Sequence, residues 1–138
     1  MKKSKVAFIV VGWNNQDLIE ECFKSIDSQT YPDTVSYYVD NGSKDDSIPT
    51  VRKYSPNTII IDAGANLGFA KGNNVGINQA LKDPDIKYIA LINTDARIDK
   101  KWTEQIIDFA NNKPRAACLQ GTTVDYYNHG IVDSTHIY

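Results

Sequence analysis

Residues 6–11, "VAFIVV", form an unbroken apolar run rich in β-branched side chains, the pattern of a strand buried on both faces. Leu18, Ile19, Cys22, Phe23 and Ile26 then recur at helical spacing, and Pro32 closes that segment. Residues 35–39 read as a second strand ending at Asp40, residues 45–54 as a short helix, and residues 58–61 as a third strand. A glycine-rich loop enters a helix running through Leu81, "DPD" breaks it, and residues 88–92 form a fourth strand. Trp102, Ile106, Phe109 and Ala110 share one helical face, with Asp99 as the expected N-cap and a fifth strand expected at residues 116–119. This alternation predicts one α/β domain over residues 1–138: a mostly parallel, Rossmann-like sheet with helices on both faces.

Composition changes this picture little. At 138 residues, 41% hydrophobic and 23% charged, the chain can bury a sizeable core. A formal charge of −2, with both signs mixed along the chain, offers no basic stripe for nucleic acid. Cys22 and Cys118 lack metal-ligand spacing and read as buried free thiols of a reducing compartment. Asn41-Gly42-Ser43 is formally a glycosylation acceptor that this cysteine usage does not favour. The opening "MKKSKVAFIVVGW" imitates a signal peptide, but "NNQD" follows where small residues should mark cleavage, so it reads as a first strand. No stretch approaches the ~20 apolar residues of a membrane span. A cytoplasmic placement is expected, with the inner face of the membrane as the variant.

The candidate chemistry lies where strands end. In open parallel sheets, ligands bind outside the carboxyl ends of the strands. Gly12-Trp13-Asn14-Asn15, Asp40-Asn41-Gly42-Ser43, Gly64-Ala65-Asn66-Leu67-Gly68 and Asn93-Thr94-Asp95 all fall on that edge. Any one of them reads equally as plain turn chemistry; four on one edge can line a single cleft. Gly72 and Gly76 interrupt a helix at about 1 kcal/mol each, which implies close backbone approach to a strand or to a ligand. Lys71, Asn73 and Asn74 beside them face a phosphate, a base or solvent. The first turn lacks G-x-G-x-x-G, and neither a P-loop nor a G-x-S-x-G elbow occurs. His129 and His136 have no evident partner in the sequence.

Three stretches, "VDNGSKDDS" (39–47), "NLGFAKGNNVGI" (66–77) and "LINTDARID" (91–99), occur in the order and spacing of family 2 glycosyltransferases of the GT-A fold. The chain resembles that family over residues 5–120, and most of all its rhamnosyltransferase-like branch of cell-surface polysaccharide enzymes. The resemblance implies a nucleotide-sugar donor and a saccharide acceptor. Asp40 would recognise a pyrimidine base, bordered by Gly12 and Asn14, while Asn66, Gly68 and Asn73 would run beside the nucleotide. Asn93-Thr94-Asp95 stands in the place of the family's D-x-D motif. Asp95 would therefore hold Mg²⁺ or Mn²⁺, and Asn93 would touch neighbouring donor oxygens. The catalytic base finds no match through Tyr138; Asp125 and Asp133 are poor candidates, so this is expected to be a donor-binding part with the acceptor part missing. An inverting, metal-assisted transfer from a UDP- or dTDP-sugar is the expected activity. A nucleotide-sugar-binding module without catalysis is the alternative. A receiver-like signalling domain is a third reading, set back by Asn14 and Asn15 where that domain needs acids.

Overall fold

The computed structural model describes residues 4–134 of the chain, so His136 lies outside the described residues. Two compact units are formed, Met1–Lys100 and Lys101–Tyr138.

The first unit contains β1 (Lys5–Gly12), α1 (Gln16–Asp27), β2 (Thr34–Asp40), α2 (Ser47–Tyr54), β3 (Ile59–Asp62), α3 (Phe69–Ala80) and β4 (Ile86–Asn93). Its sheet is parallel throughout, in the order β3-β2-β1-β4. The run that imitates a signal peptide is β1, an interior strand whose residues Ala7 to Val10 are fully buried. Side chains alternate between the two faces. Ala7, Ile9, Tyr37 and Val39 pack with Ala80 of α3, and Val75 and Ile77 join the same cluster. On the opposite face, Phe23 of α1 meets Tyr38 edge to face, with centroids 5.9 Å apart.

The question posed by Gly72 and Gly76 is answered by packing. A Cβ on Gly76 would sit 2.5 Å from Ile9 Cγ2 and 3.1 Å from Val39 Cγ2, and one on Gly72 would sit 2.7 Å from Val11 Cγ1. Glycine lets α3 lie closer to β1 and β2 than any side chain allows.

A polar chain, buried at Ser36, Ser55 and Thr58 and reaching the surface at Asp27, runs along the opposite face. The Ser36 and Thr58 hydroxyls are 2.7 Å apart, as are those of Ser55 and Thr58, and Ser55 Oγ donates to Asp27 Oδ1 at 3.0 Å. Partial burial raises the Asp27 pKa, against the lowering effect of the Ser55 hydrogen bond. The folded state therefore holds this proton more tightly than the unfolded chain, and stability falls as pH rises from the ordinary carboxylate value through the folded one. Asp27→Asn should accordingly raise the melting temperature at pH 7, and the gain should shrink as the pH is lowered toward that ordinary value. A melting temperature that drops at pH 7 would contradict this assignment.

The second unit holds α4 (Trp102–Asn111) and an antiparallel pair, β5 (Thr123–Val124) with β6 (Val132–Ser134). The expected fifth strand does not form: residues 116–119 are irregular and mostly exposed. Four apolar residues make a strand only beside a partner ladder, and none pairs there among the described residues. Cys118 is likewise exposed rather than buried, whereas Cys22 is buried. Asp99 is not the cap of α4, whose N-cap position is Lys101. Among the described residues, no helix is long and apolar enough to cross a membrane.

Candidate functional site

The strand order reverses at β1: the chain runs outward from β1 through β2 to β3 and then returns to place β4 on the other side of β1. Such a switch point leaves a crevice at the carboxyl ends of the strands. A cleft of about 250 Å³ lies there, lined by Val11, Asn15, Leu18, Phe69, Asn93, Thr94 and Asp95. Its apolar wall is Val11, Leu18 and Phe69, and the last is 63% exposed. Its polar side is the turn after β4, closed by the Ala96 N–H donating to the Asn93 carbonyl at 3.0 Å. Asn93 and Asp95 are exposed, while Thr94 is buried.

Gly12, Asn14 and Asp40 lie beside this cleft, in a network that locks the turns after β1 and β2 together. Gly12 and Asp40 are register partners, as are Val11 and Asn93 and, one strand outward, Asp40 and Asp62. A Cβ on Gly12 would fall 2.2 Å from the Tyr38 hydroxyl. Asn14 adopts φ 52°, a left-handed conformation that asparagine tolerates, and its Oδ1 accepts the Lys44 N–H at 2.8 Å. The Asn14 N–H donates to Ser43 Oγ at 2.9 Å, and the Asn15 N–H to Ser47 Oγ at 3.1 Å. Asp45 accepts the Gln16 N–H at 3.1 Å and the Ser47 N–H at 3.0 Å. Burial would raise the Asp45 pKa, but these bonds and the Ser47 hydroxyl outweigh it and hold the carboxyl below its ordinary value.

Asp40 is only 2% exposed. Its Oδ2 accepts the Ser43 N–H at 2.8 Å, while its Oδ1 receives only a long contact, 3.4 Å, from the Tyr38 hydroxyl.

Asn66, Gly68 and Asn73 belong to the crossing from β3 into α3. Asn66 Oδ1 accepts the Gly68 N–H at 2.9 Å, and Gly68 is the N-cap of α3. Asn73 is buried, and its amide donates to the Phe69 carbonyl one turn earlier, at 3.0 Å.

Asn41, which the sequence offers only as a turn residue or glycan acceptor, joins these segments. Its N–H donates to the Gly12 carbonyl at 2.8 Å and its Nδ2 to the Gly68 carbonyl at 3.3 Å. At 3% exposure the side chain cannot carry a glycan in the folded chain. Next to it, Gly42 at φ 75° packs against the Ala65 backbone, 2.9 Å from where its Cβ would be. All eight candidate residues thus occupy one edge of the sheet, but only Asn93 and Asp95 line the cleft itself.

Among the described residues, no three acidic, histidine or cysteine side chains cluster as a metal cage. The donor set is one exposed carboxylate, Asp95, beside the Asn93 amide. That set fits a hard divalent cation that takes most of its ligands from phosphate and water. Among the described residues, no Lys or Arg lines the cleft.

An open parallel sheet with a polar crevice at its switch point defines a doubly wound, Rossmann-like α/β protein. A family description, glycosyl transferase family 2, matches residues 7–136, and the chain belongs to that family. It is 30% identical over 96 residues to a poly(ribitol-phosphate) beta-glucosyltransferase of Bacillus spizizenii, covering 66% of this chain and 15% of that protein. It is 22% identical over 118 residues to a poly-beta-1,6-N-acetyl-D-glucosamine synthase of Staphylococcus epidermidis, covering 84% of this chain and 28% of that one. The crystal structure of S. aureus TarS in complex with UDP superposes with a TM-score of 0.70 at 25% identity, covering 78% of this chain and 32% of that chain. The chain spans less than a third of the length of these relatives. Family membership sets aside the receiver-like reading.

Proposed function

We propose that this chain is the donor-binding part of a glycosyltransferase that moves a sugar from a UDP- or dTDP-sugar to a saccharide acceptor, with inversion. The observation that carries the reading is the Asn93-Thr94-Asp95 turn in a cleft at the sheet's switch point, with only β1 between it and the strand that ends in Asp40. The likeness to TarS, crystallised with UDP, supports a pyrimidine nucleotide. The motif likeness to rhamnosyltransferases makes dTDP the second nucleotide to test.

Each residue then has a physical task. Asp40 accepts the ring N–H of uracil or thymine through Oδ1, which takes only the long Tyr38 hydroxyl contact while Oδ2 holds the Ser43 N–H. Gly12 and Asn14 border that base. Asn66, Gly68 and Asn73 shape the backbone beside the nucleotide. Asp95 holds Mg²⁺ or Mn²⁺ at the rim, and Asn93 donates its amide to a donor oxygen. When bound, the cation would neutralise charge on the departing nucleoside diphosphate, a task for which the described lining residues supply no basic side chain.

Calorimetric titration tests the base and its partner together. UDP or dTDP should bind more tightly than GDP, and Asp40→Asn should weaken UDP by about 10–100-fold by setting a donor against the ring N–H. Pyrophosphate affinity should stay within about twofold. Equal affinities for UDP and GDP in the parent would sink the pyrimidine assignment.

A binding module without catalysis is the second reading, favoured by one observation. The Asp125 carboxylate is engaged by the Tyr127 and Asn128 N–H groups at 2.9 and 2.7 Å, as a turn-forming group rather than a base. Hydrolysis of a UDP-sugar by the chain would decide for catalysis.

A further inference from the structure

The turn that carries Asp95 is not held by its own strand alone. One face of α1 and the residues that follow it run alongside residues 93–100 and bond to their backbone. Cys22 Sγ donates to the Asn93 carbonyl at 3.4 Å. Ser25, buried at 6% exposure, accepts the Ile98 N–H on Oγ at 3.2 Å while donating to the Cys22 carbonyl at 2.7 Å. Gln29 Nε2 donates to the Asp99 carbonyl at 2.8 Å and also to the Ser25 carbonyl at 3.0 Å. Thr30 closes the row, its N–H and hydroxyl both donating to the Lys100 carbonyl, at 2.9 and 3.2 Å.

Cys22 and Ser25 lie three apart on one side of α1, and Gln29 follows just past the C-cap Ser28, so together they form a row against the loop. The contacts begin at Asn93, before Asp95, and resume at Ile98, after it. Asp95 is therefore the exposed middle of a segment clamped at both ends. A single carboxylate serving a cation needs such clamping, because no second protein acid fixes its position.

We infer that Ser25 and Gln29 are positioning residues for Asp95, holding the 93–100 segment so that its carboxylate stands at one place on the cleft rim. The inference rests on the reading of Asp95 as the cation-holding group. Ser25 and Gln29 touch neither donor nor cation and act through the backbone at Ile98 and Asp99.

The experiment is titration of the whole chain with UDP, with and without Mn²⁺, on the parent, Ser25→Ala, Gln29→Ala and Asp95→Ala. The quantity read is the ratio of the two affinities, which a general loss of stability does not move. Both positioning variants should lose about tenfold of the Mn²⁺-dependent gain while metal-free UDP affinity stays within about twofold. If Ser25→Ala does not fold, Gln29→Ala decides alone, since its side chain lies nearer the surface. Full retention of the Mn²⁺ gain in the folded positioning variants, with its loss in Asp95→Ala, overturns the positioning role and spares the Asp95 assignment. A parent without any Mn²⁺ gain, or an Asp95→Ala variant that keeps it, overturns both.

Discussion

Replacing Asp95 with Ala should erase the gain in UDP affinity that Mn²⁺ confers and leave the melting temperature within about 1 °C of the parent, as for a surface change away from packing. The two halves of this expectation have separate causes. Asp95 is exposed at the middle of a turn whose geometry is carried by the Asn93 and Ile98 backbone contacts, so its side chain contributes little to folding. Among the described residues no basic side chain lines the cleft, so a diphosphate entering it meets the field of Asp95 unless a cation intervenes. Losing one charged contact of this kind costs about 1.5–3 kcal/mol, or roughly 10–100-fold in the Mn²⁺-dependent affinity. Removal of Mn²⁺ by a chelator should reproduce the effect in the parent and do nothing further in the variant. A variant that binds UDP with Mn²⁺ as tightly as the parent refutes the metal assignment.

Gly76→Val should be the most damaging single change to the first unit, lowering stability by about 3 kcal/mol. The added Cβ alone would lie 2.5 Å from Ile9 Cγ2, and both Ile9 and Val39 are fully buried and stiff at χ1. Neither can swing aside, so α3 must lift from the sheet. The gain from replacing a helical glycine is smaller than this overlap, about 1 kcal/mol at most. The melting temperature should fall by about 10 °C. Asn78→Val, on the exposed side of the same helix, is the control and should cost less than about 1 kcal/mol. Equal melting temperatures for the two variants would show that α3 does not pack as closely as described.

Nearly all of the first unit's framework is legible in the chain. The β1 and β2 runs are recognisable because interior strands of a parallel sheet must be apolar on both faces, and α1 because Ile19, Cys22, Phe23 and Ile26 repeat at helical spacing. Observed bounds differ from the expected ones by a residue or two, since the ends depend on hydrogen bonds rather than on hydropathy. Residues 116–119 mislead for a related reason: a short apolar run has no strand character until a neighbour supplies a ladder. Asn41 is visible in the sequence only as a turn residue or formal glycan acceptor, because its bonds go to Gly12 and Gly68, distant in sequence. Ser25 did leave a signal, a hydroxyl set among Cys22, Phe23 and Ile26 on the buried face of α1.

By itself, then, the sequence determined the alternation of strands and helices, the polar turns at the strand ends and the motifs that mark the family. These follow from periodicity and turn chemistry, which act over a few residues. Only the tertiary structure decided that Gly72 and Gly76 admit a strand rather than a ligand, that Asn41 joins three segments, and that α1 clamps the loop of Asp95. Those facts depend on atoms brought within a few ångströms across tens of residues of chain, and no local pattern records such a distance.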